Sequence, residues 1–266
     1  MAAGFKVWDL LGNEDITAHP HIAAAGITAG LLIVGGVAYR AASSRGDASK
    51  MSDNDLVPSA NLGIKNLFEL PGEFVQNLAK DIIGDHYAAY LPMMIFVFLW
   101  TLVNNLMGSL PGFGSATDNL NSTLSMGFFV FLYYNFVGFK ARGFQYLEDY
   151  TGHLRGILLP TLGLVMFPIE LVSNMVRPIT LGFRLRSNIY ADHTVYGIVN
   201  DLFKDLTGFL NESLGVFGSI IGHIIASVGP VPVFILGLLV AFIQAFVFTM
   251  LSMIYVGMAT AHADDH

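Results

Sequence analysis

No cysteine occurs in the 266 residues, and only 12% of them are Asp, Glu, Lys or Arg. The first absence removes disulfide frameworks and thiolate metal centres. The second leaves about half of the roughly 25% charged content of an average soluble domain. Basic residues are scarcer than acidic ones, 13 against 20, so no positive excess is present to meet nucleic-acid phosphates. Also missing are H-E-x-x-H, G-x-S-x-G and a Walker A loop, so no covalent chemistry is expected of the chain by itself. The opening MAAGFKVWDLLGNEDITAH carries Asp9, Glu14 and Asp15 where a signal peptide would have a basic segment and an apolar run. What is present is apolar: 54% hydrophobic residues, 28 glycines and a mean hydropathy of +0.59. These values exclude a disordered chain and make lipid the expected solvent.

The hydrophobic pattern predicts an all-α polytopic membrane protein. About four N-terminal helices cross or lie on the bilayer, followed by two long, strongly tilted helices forming a hairpin. Residues 1–21 are expected outside and 22–39 form the first crossing, long enough for a ~30 Å hydrocarbon core. Within it Gly26-Ile-Thr-Ala-Gly30 is a candidate helix contact. Over 62–85, Ile64, Leu67, Phe68, Phe74, Leu78 and Ile82 recur at three- and four-residue spacing among charges, the pattern of a surface helix. The middle crossings occupy 87–173: one from Tyr87 to Met107, one from Ser122 to Phe139, one from about Gly156 to Ser173. Arg40, Arg45, Lys50, Lys65 and Lys80 lie between the first two crossings, and Lys140, Arg142 and Arg155 between the last two. Positive-inside logic therefore puts those loops in the cytoplasm and the N-terminus outside.

Residues 178–259 form the expected tilted hairpin, with Pro178 opening its first helix and Gly229-Pro-Val-Pro232 as the turn. No Asp, Glu, Lys or Arg occurs from Ser213 to Ala263. The apolar run Val231 to Ala259 would be roughly 43 Å long as a helix, too long to cross upright. The few charges upstream therefore stand out, because an ionisable group in lipid costs at least ~2.5 kcal/mol. Arg184, Asn188 and Asp192, at i, i+4 and i+8, share one helix face, while Arg186 and His193 share the opposite one. Arg177 and Arg186 read equally well as arginines snorkelling to headgroups. Asp201, Lys204, Asp205 and Glu212 read as a solvated interfacial stretch, and His223 as a hydrogen-bonded structural residue. On the last helix Gln244, Ser252 and Tyr255 are candidates for bonds to the preceding helix.

The segments PIELVSNMVRPITLGFRLRSNIYADH and FIQAFVFTMLSMIYVGMA, with YLPMMIFVFLWTLVNNLMGSLPG upstream, resemble subunit a of the F-type (proton-translocating) ATP synthase, bacterial type. The resemblance covers roughly residues 88 to 261. It implies a stator subunit in a bacterial inner membrane, with a helix hairpin set against a rotating ring of c subunits. Two offset aqueous half-channels would deliver protons to a ring carboxylate and remove them. The implied partners are the c-subunit ring, the b-subunit peripheral stalk and the rest of the synthase; no cofactor or metal is implied. Arg184 matches the family's essential arginine, which would release the ring proton and block a continuous proton wire. Asn188, Gln244, Glu170, Ser173 and Asn105 match further polar positions of the proton pathway.

Some positions depart from the family pattern. Arg186-Ser187 replaces the usual Phe-Gly of the arginine motif, Gly108 stands where an aspartate is common, and Gly237 where mitochondrial members carry a glutamate. Asp192 and His193 are then the best remaining candidates for the inlet. About eighteen more residues separate Arg184 from Gln244 than in the shortest bacterial relatives. The alternative is a self-contained ion channel or secondary transporter, for which the intramembrane polar residues are few. A non-conducting scaffold subunit is a further alternative.

Overall fold

The structure, a computed structural model, describes residues 20–43, 64–84, 86–110, 116–143, 146 and 159–260. Most of the expected external segment 1–21 and of the 40–63 and 144–158 loops lies outside these residues. Among the described residues six α-helices follow one another: α1 Pro20–Ser43, α2 Ile64–Ile83, α3 Tyr87–Ser109, α4 Leu120–Arg142, α5 Leu159–Val228 and α6 Val231–Thr260. A short 3-10 turn, Ala116–Asp118, precedes α4. There are no strands among the described residues. Tyr87–Ser109, Leu120–Arg142 and Phe167–Thr260 are long and apolar enough to cross a membrane. The chain is thus an all-α polytopic membrane protein.

Local chemistry sets several of the helix ends. Asn119, in extended conformation, caps α4 by accepting a bond from the Asn121 amide at 2.9 Å. The α4 C-terminus carries Lys140 and Arg142 against the negative end of the dipole and stops at Gly143, φ 58°. In α2 the apolar stripe is real: Val75 and Ala79 are fully buried, and the Phe74 ring packs beside Phe98, Phe242 and Phe246. That face of α2 is covered by α3 and α6. The core continues through Phe98, Val130, Tyr134, Leu181, Leu185, Phe248 and Met253.

The expected glycine contact in α1 is not made with any described residue, since a Cβ on either Gly26 or Gly30 would meet nothing within 4 Å among them. Thr28 carries the contact instead. Its hydroxyl is buried and donates to Asn104 Oδ1 at 3.1 Å. Small residues matter between α4 and α5. A Cβ on Gly127 would lie 2.5 Å from the Pro178 carbonyl oxygen, and one on Gly182 3.0 Å from the Leu124 Cα and the Thr123 carbonyl oxygen. The two backbones touch, which fixes the register of α5 two residues before Arg184. Gly127→Ala should therefore lower the stability of the purified subunit by about 1–3 kcal/mol through overpacking. Gly30→Ala, with open space around it, should be neutral or slightly stabilising in the same thermal-unfolding measurement.

The hairpin differs from expectation in two ways. The expected break between a crossing ending at Ser173 and a helix starting at Pro178 is absent: α5 runs through Pro168 and Pro178 with Gly215 as its one non-helical residue. A proline costs a helix one hydrogen bond and some local strain, which neighbouring helices in a membrane offset. The chain reversal is at Gly215 (φ 57°, ψ −132°), a conformation that favours glycine, rather than at 229–232. Residues 216–228 then pack back along 159–214. The Thr207 hydroxyl donates to the Gly222 carbonyl at 2.9 Å, although 15 residues of straight helix would separate them by about 22 Å. Gly229 meets the Phe203 ring, and α6 continues in the same direction, bringing Gly237 to Asp192 and Gln244 to Asn188. Each of these pairs is centred on residues 214–216, so 159–214 and 216–260 are the arms of one long antiparallel hairpin. Gly229 and Pro230 only offset the second arm.

Candidate functional site

Two polar clusters lie along α5, with Arg184 between them. The first is built where α3, α5 and α6 meet. Asn188 Nδ2 donates to Gln244 Oε1, while Gln244, 4% exposed, leaves its Nε2 without a hydrogen-bond partner. One turn along α5, Asp192 reaches the same narrow, partly open crevice, lined also by Asn105, Gly108, Ser109 and Gly237. Gly237 makes room for it: a Cβ there would lie 2.5 Å from Asp192 Oδ1 and 2.9 Å from Oδ2. The carboxylate thus occupies the volume that a side chain at 237 would fill. Ser109 Oγ lies 3.5 Å from Asp192 Oδ2 and 3.2 Å from the Asn105 carbonyl oxygen, and its one proton serves either. Thr117 of the 3-10 turn donates to Asn105 Oδ1 at 3.2 Å, and Asn105 Nδ2 donates to the Ala241 carbonyl at 3.4 Å. A line of hydroxyl, amide and carboxylate groups therefore runs from the α3–α4 connection to Asp192.

The second cluster joins α4, α5 and α6 toward the other end of the helices. The Tyr134 hydroxyl donates to Asn174 Oδ1, Asn174 Nδ2 donates to Asn135 Oδ1 at 3.3 Å, and the Tyr146 hydroxyl reaches the same oxygen at 3.0 Å. Beside it Arg177 pairs with Glu170 at 3.8 Å and lies over the Tyr255 ring, 5.4 Å from its centroid. Glu170 and Asp192 are 22 residues apart, about 33 Å along the helix. Between the clusters the inner face of α5 is closed by Leu181 and Leu185, both 2% exposed or less. No polar groups of the two clusters meet across that apolar stretch among the described residues.

The three arginines of this helix differ sharply. Arg177 is held by Glu170 and Tyr255, and Arg186 Nε donates to the Asp118 carbonyl at 3.4 Å. Arg184 is exposed and makes neither a hydrogen bond nor an ion pair with any described residue. A cation on a lipid-facing helix that the chain does not neutralise itself needs an anion from elsewhere.

Not every sequence candidate joins a cluster. His193 is exposed, a step round the helix from Asp192, and lies outside the crevice. Ser173 is also exposed, while its neighbour Asn174 is the buried one. Ser252 does not reach α5 but donates to the Phe248 carbonyl of its own helix at 2.8 Å. Tyr255 meets α5 through the Arg177 guanidinium. His223 is hydrogen-bonded, to the Ser219 carbonyl at 2.7 Å. Sequence reasoning passes over Asn135, Asn174, Tyr134, Ser109 and Thr117. The signal for some of them is there, since Tyr134-Asn135 and Ser173-Asn174 are polar pairs inside apolar runs.

Comparison with known proteins gives the family. Residues 26–257 match the family described as the ATP synthase A chain. The chain is 38% identical to ATP synthase subunit a of Bdellovibrio bacteriovorus over 93% of both chains. It is 36% identical to ATP synthase subunit a 2 of Chlorobaculum tepidum, covering 95% of this chain and 66% of that longer one. A relative from Campylobacter jejuni, also ATP synthase subunit a, is 34% identical over 77% of this chain and 80% of its own. A match that runs nearly from end to end, on a helical membrane fold, shows that the chain belongs to the ATP synthase A chain family and is a membrane component of that synthase.

Proposed function

We propose that the chain is the stator of the synthase's membrane sector, forming two proton half-channels against the c-ring and coupling proton flow to ring rotation and ATP synthesis. The observation that carries this reading is the exposed Arg184, without a partner among the described residues, standing between two polar clusters that an apolar stretch separates. A proton enters along Thr117, Asn105, Ser109 and Asp192, near Asn188 and Gln244, and neutralises a ring carboxylate that can then face lipid. When rotation brings a protonated carboxylate to Arg184, the cation lowers its pKa. An opposite charge within a few ångströms shifts a carboxyl by about 1–3 units. The released proton leaves past Glu170 and the Asn174 cluster. Ser173, exposed on the Arg184 face of α5, serves at the ring-facing mouth of the outlet, and His193, exposed on the opposite face, lies beside the inlet near Asp192. Each charge that crosses gains about 2.3 kcal/mol per 100 mV.

The chain is not catalytic by itself; its partners in this reading are the c-ring, the b-subunit peripheral stalk and the remaining synthase. It lies in a bacterial inner membrane with its N-terminus outside, as the lysines and arginines of the 40–85 and 140–155 loops favour. Reconstitution tests the assignment. The purified chain in liposomes should pass no protons under an imposed gradient, and co-reconstitution with the carboxylate-bearing ring should confer flux. Proton flux through the chain alone would overturn it in favour of a self-contained channel.

A further inference from the structure

The 3-10 turn before α4 is held from three sides, and one of the holds comes from the helix that carries Arg184 and Asp192. Thr117 is bonded to Asn105 of α3. Asn119 Nδ2 lies 3.3 Å from His21 Nδ1 of α1. Between them the Asp118 carbonyl accepts from Arg186 Nε of α5 at 3.4 Å. Asp118 precedes the α4 cap, so its carbonyl stands outside the α4 ladder and is open to a side-chain donor. Ala116 and Thr117 are 1% and 3% exposed, so the turn is seated against its neighbours.

The Arg186 contact continues the close approach of α4 and α5. Gly127 meets Pro178, Leu124 meets Gly182, and Asp118 meets Arg186, a run that steps back along one helix as it steps forward along the other. Arg186 lies one turn past Gly182 and so on nearly the same face of α5. It is about 120° round the helix from Asp192 and does not line the crevice. Whatever it does for the proton pathway therefore passes through Asp118, Thr117 and Asn105. By tying the turn to α5, it sets the height at which the Thr117 hydroxyl meets Asn105, relative to Asp192 six residues along the same helix.

We infer that Arg186 is a positioning residue of the proton inlet: its Nε–H holds the Asp118 carbonyl and so seats Thr117 on the Asn105 amide, at the start of the line leading to Asp192. The inference rests on the proton-pathway reading given above. The role belongs to the nitrogen bonded to Cδ, not to the charge of the guanidinium. Nor is it a folding role, because Arg186 is exposed and the bonds from Asn105 and His21 still hold the turn without it.

Three substitutions separate the hydrogen bond from the charge. In Arg186→Gln the amide nitrogen is bonded to Cδ as Nε is, so a neutral donor stands at the same point. Arg186→Met puts a methyl group there, with no donor. Arg186→Lys keeps the charge but puts a methylene there. Each assembled synthase is placed in liposomes with the inlet side facing the lumen, and ATP synthesis is followed against lumenal pH at fixed membrane potential and outer pH. Arg186→Met should need about three- to tenfold more lumenal protons for half-maximal rate, the effect of one net hydrogen bond. Its rate at the acid plateau should be unchanged, and Arg186→Gln should follow the unaltered protein. Restoration by Lys but not by Gln would mean that charge at the membrane surface is what counts. A lower plateau with an unmoved midpoint would mean a purely structural role. Either result overturns the inference. Asp192→Asn, run alongside, tells two failures apart. If it departs from the unaltered protein while Arg186→Met does not, the inference alone falls; if neither departs, the proposed inlet falls with it.

Discussion

Arg184→Ala should reduce proton-driven ATP synthesis by roughly 10- to 1,000-fold while leaving the synthase assembled. The magnitude follows from the cation's effect on a carboxyl: each of about 1–3 pKa units lost makes proton release about tenfold harder. Assembly should survive because Arg184 is exposed and holds no other described residue, so its removal costs the fold little, within about 0.5 kcal/mol. Arg177→Ala and Arg186→Ala should behave differently, since both groups are tied up within the chain. Arg184→Lys should not restore full activity, because an ammonium can shed its proton when desolvated and lacks the guanidinium fork. Synthesis measured in inverted membrane vesicles, alongside the amount of assembled complex, checks all four. A normal rate in Arg184→Ala would refute the role given to this residue.

The second large effect belongs to Asp192 and Gly237. Asp192 is the one acidic group lining the crevice among the described residues, and Asp192→Asn should lower proton flux by about a hundredfold, the lower end of what a positioned proton-transfer group contributes. Gly237→Val should do nearly the same without touching the acid, because its side chain would claim the space that Asp192 Oδ1 occupies. The exchange Asp192→Gly with Gly237→Asp returns a carboxylate to the same volume from the opposite helix. It should recover a substantial part of the flux that either single change removes. No recovery in that double variant, with the complex assembled, would mean that α5 itself must carry the acid.

Much of this architecture is legible in the amino-acid sequence. Apolar runs bounded by charge locate α3 and α4, because in lipid every backbone group must bond within its own segment. The spacing of Arg184, Asn188 and Asp192 places the latter two on the face that meets α6. Other residues mislead when taken locally. Pro178 has the chemistry of a helix start and Gly229-Pro230 that of a hairpin turn, since local propensity favours both. The chain instead reverses at Gly215, where Asn211, Ser213 and Gly215 are turn formers set inside a run that otherwise reads as continuous helix, and Gly218 and Gly222 let the returning helix pack closely. Such a reversal depends on residues that meet only after it has formed. The same holds for Tyr134, Asn135 and Asn174, which are ordinary polar residues separately and a network only across α4 and α5. His193, next to Asp192 in sequence, is separated from it by about a hundred degrees of helix.

If protons cross only by riding the ring between two clusters that never connect through the chain, proton conductance depends on rotation. The direct measurement is the proton conductance of the membrane sector in liposomes, with the ring free and with it covalently cross-linked to this chain. The prediction is flux when the ring turns and none when it is locked. Flux that persists with the ring locked would contradict it, because the proton would then be crossing through this chain without being carried.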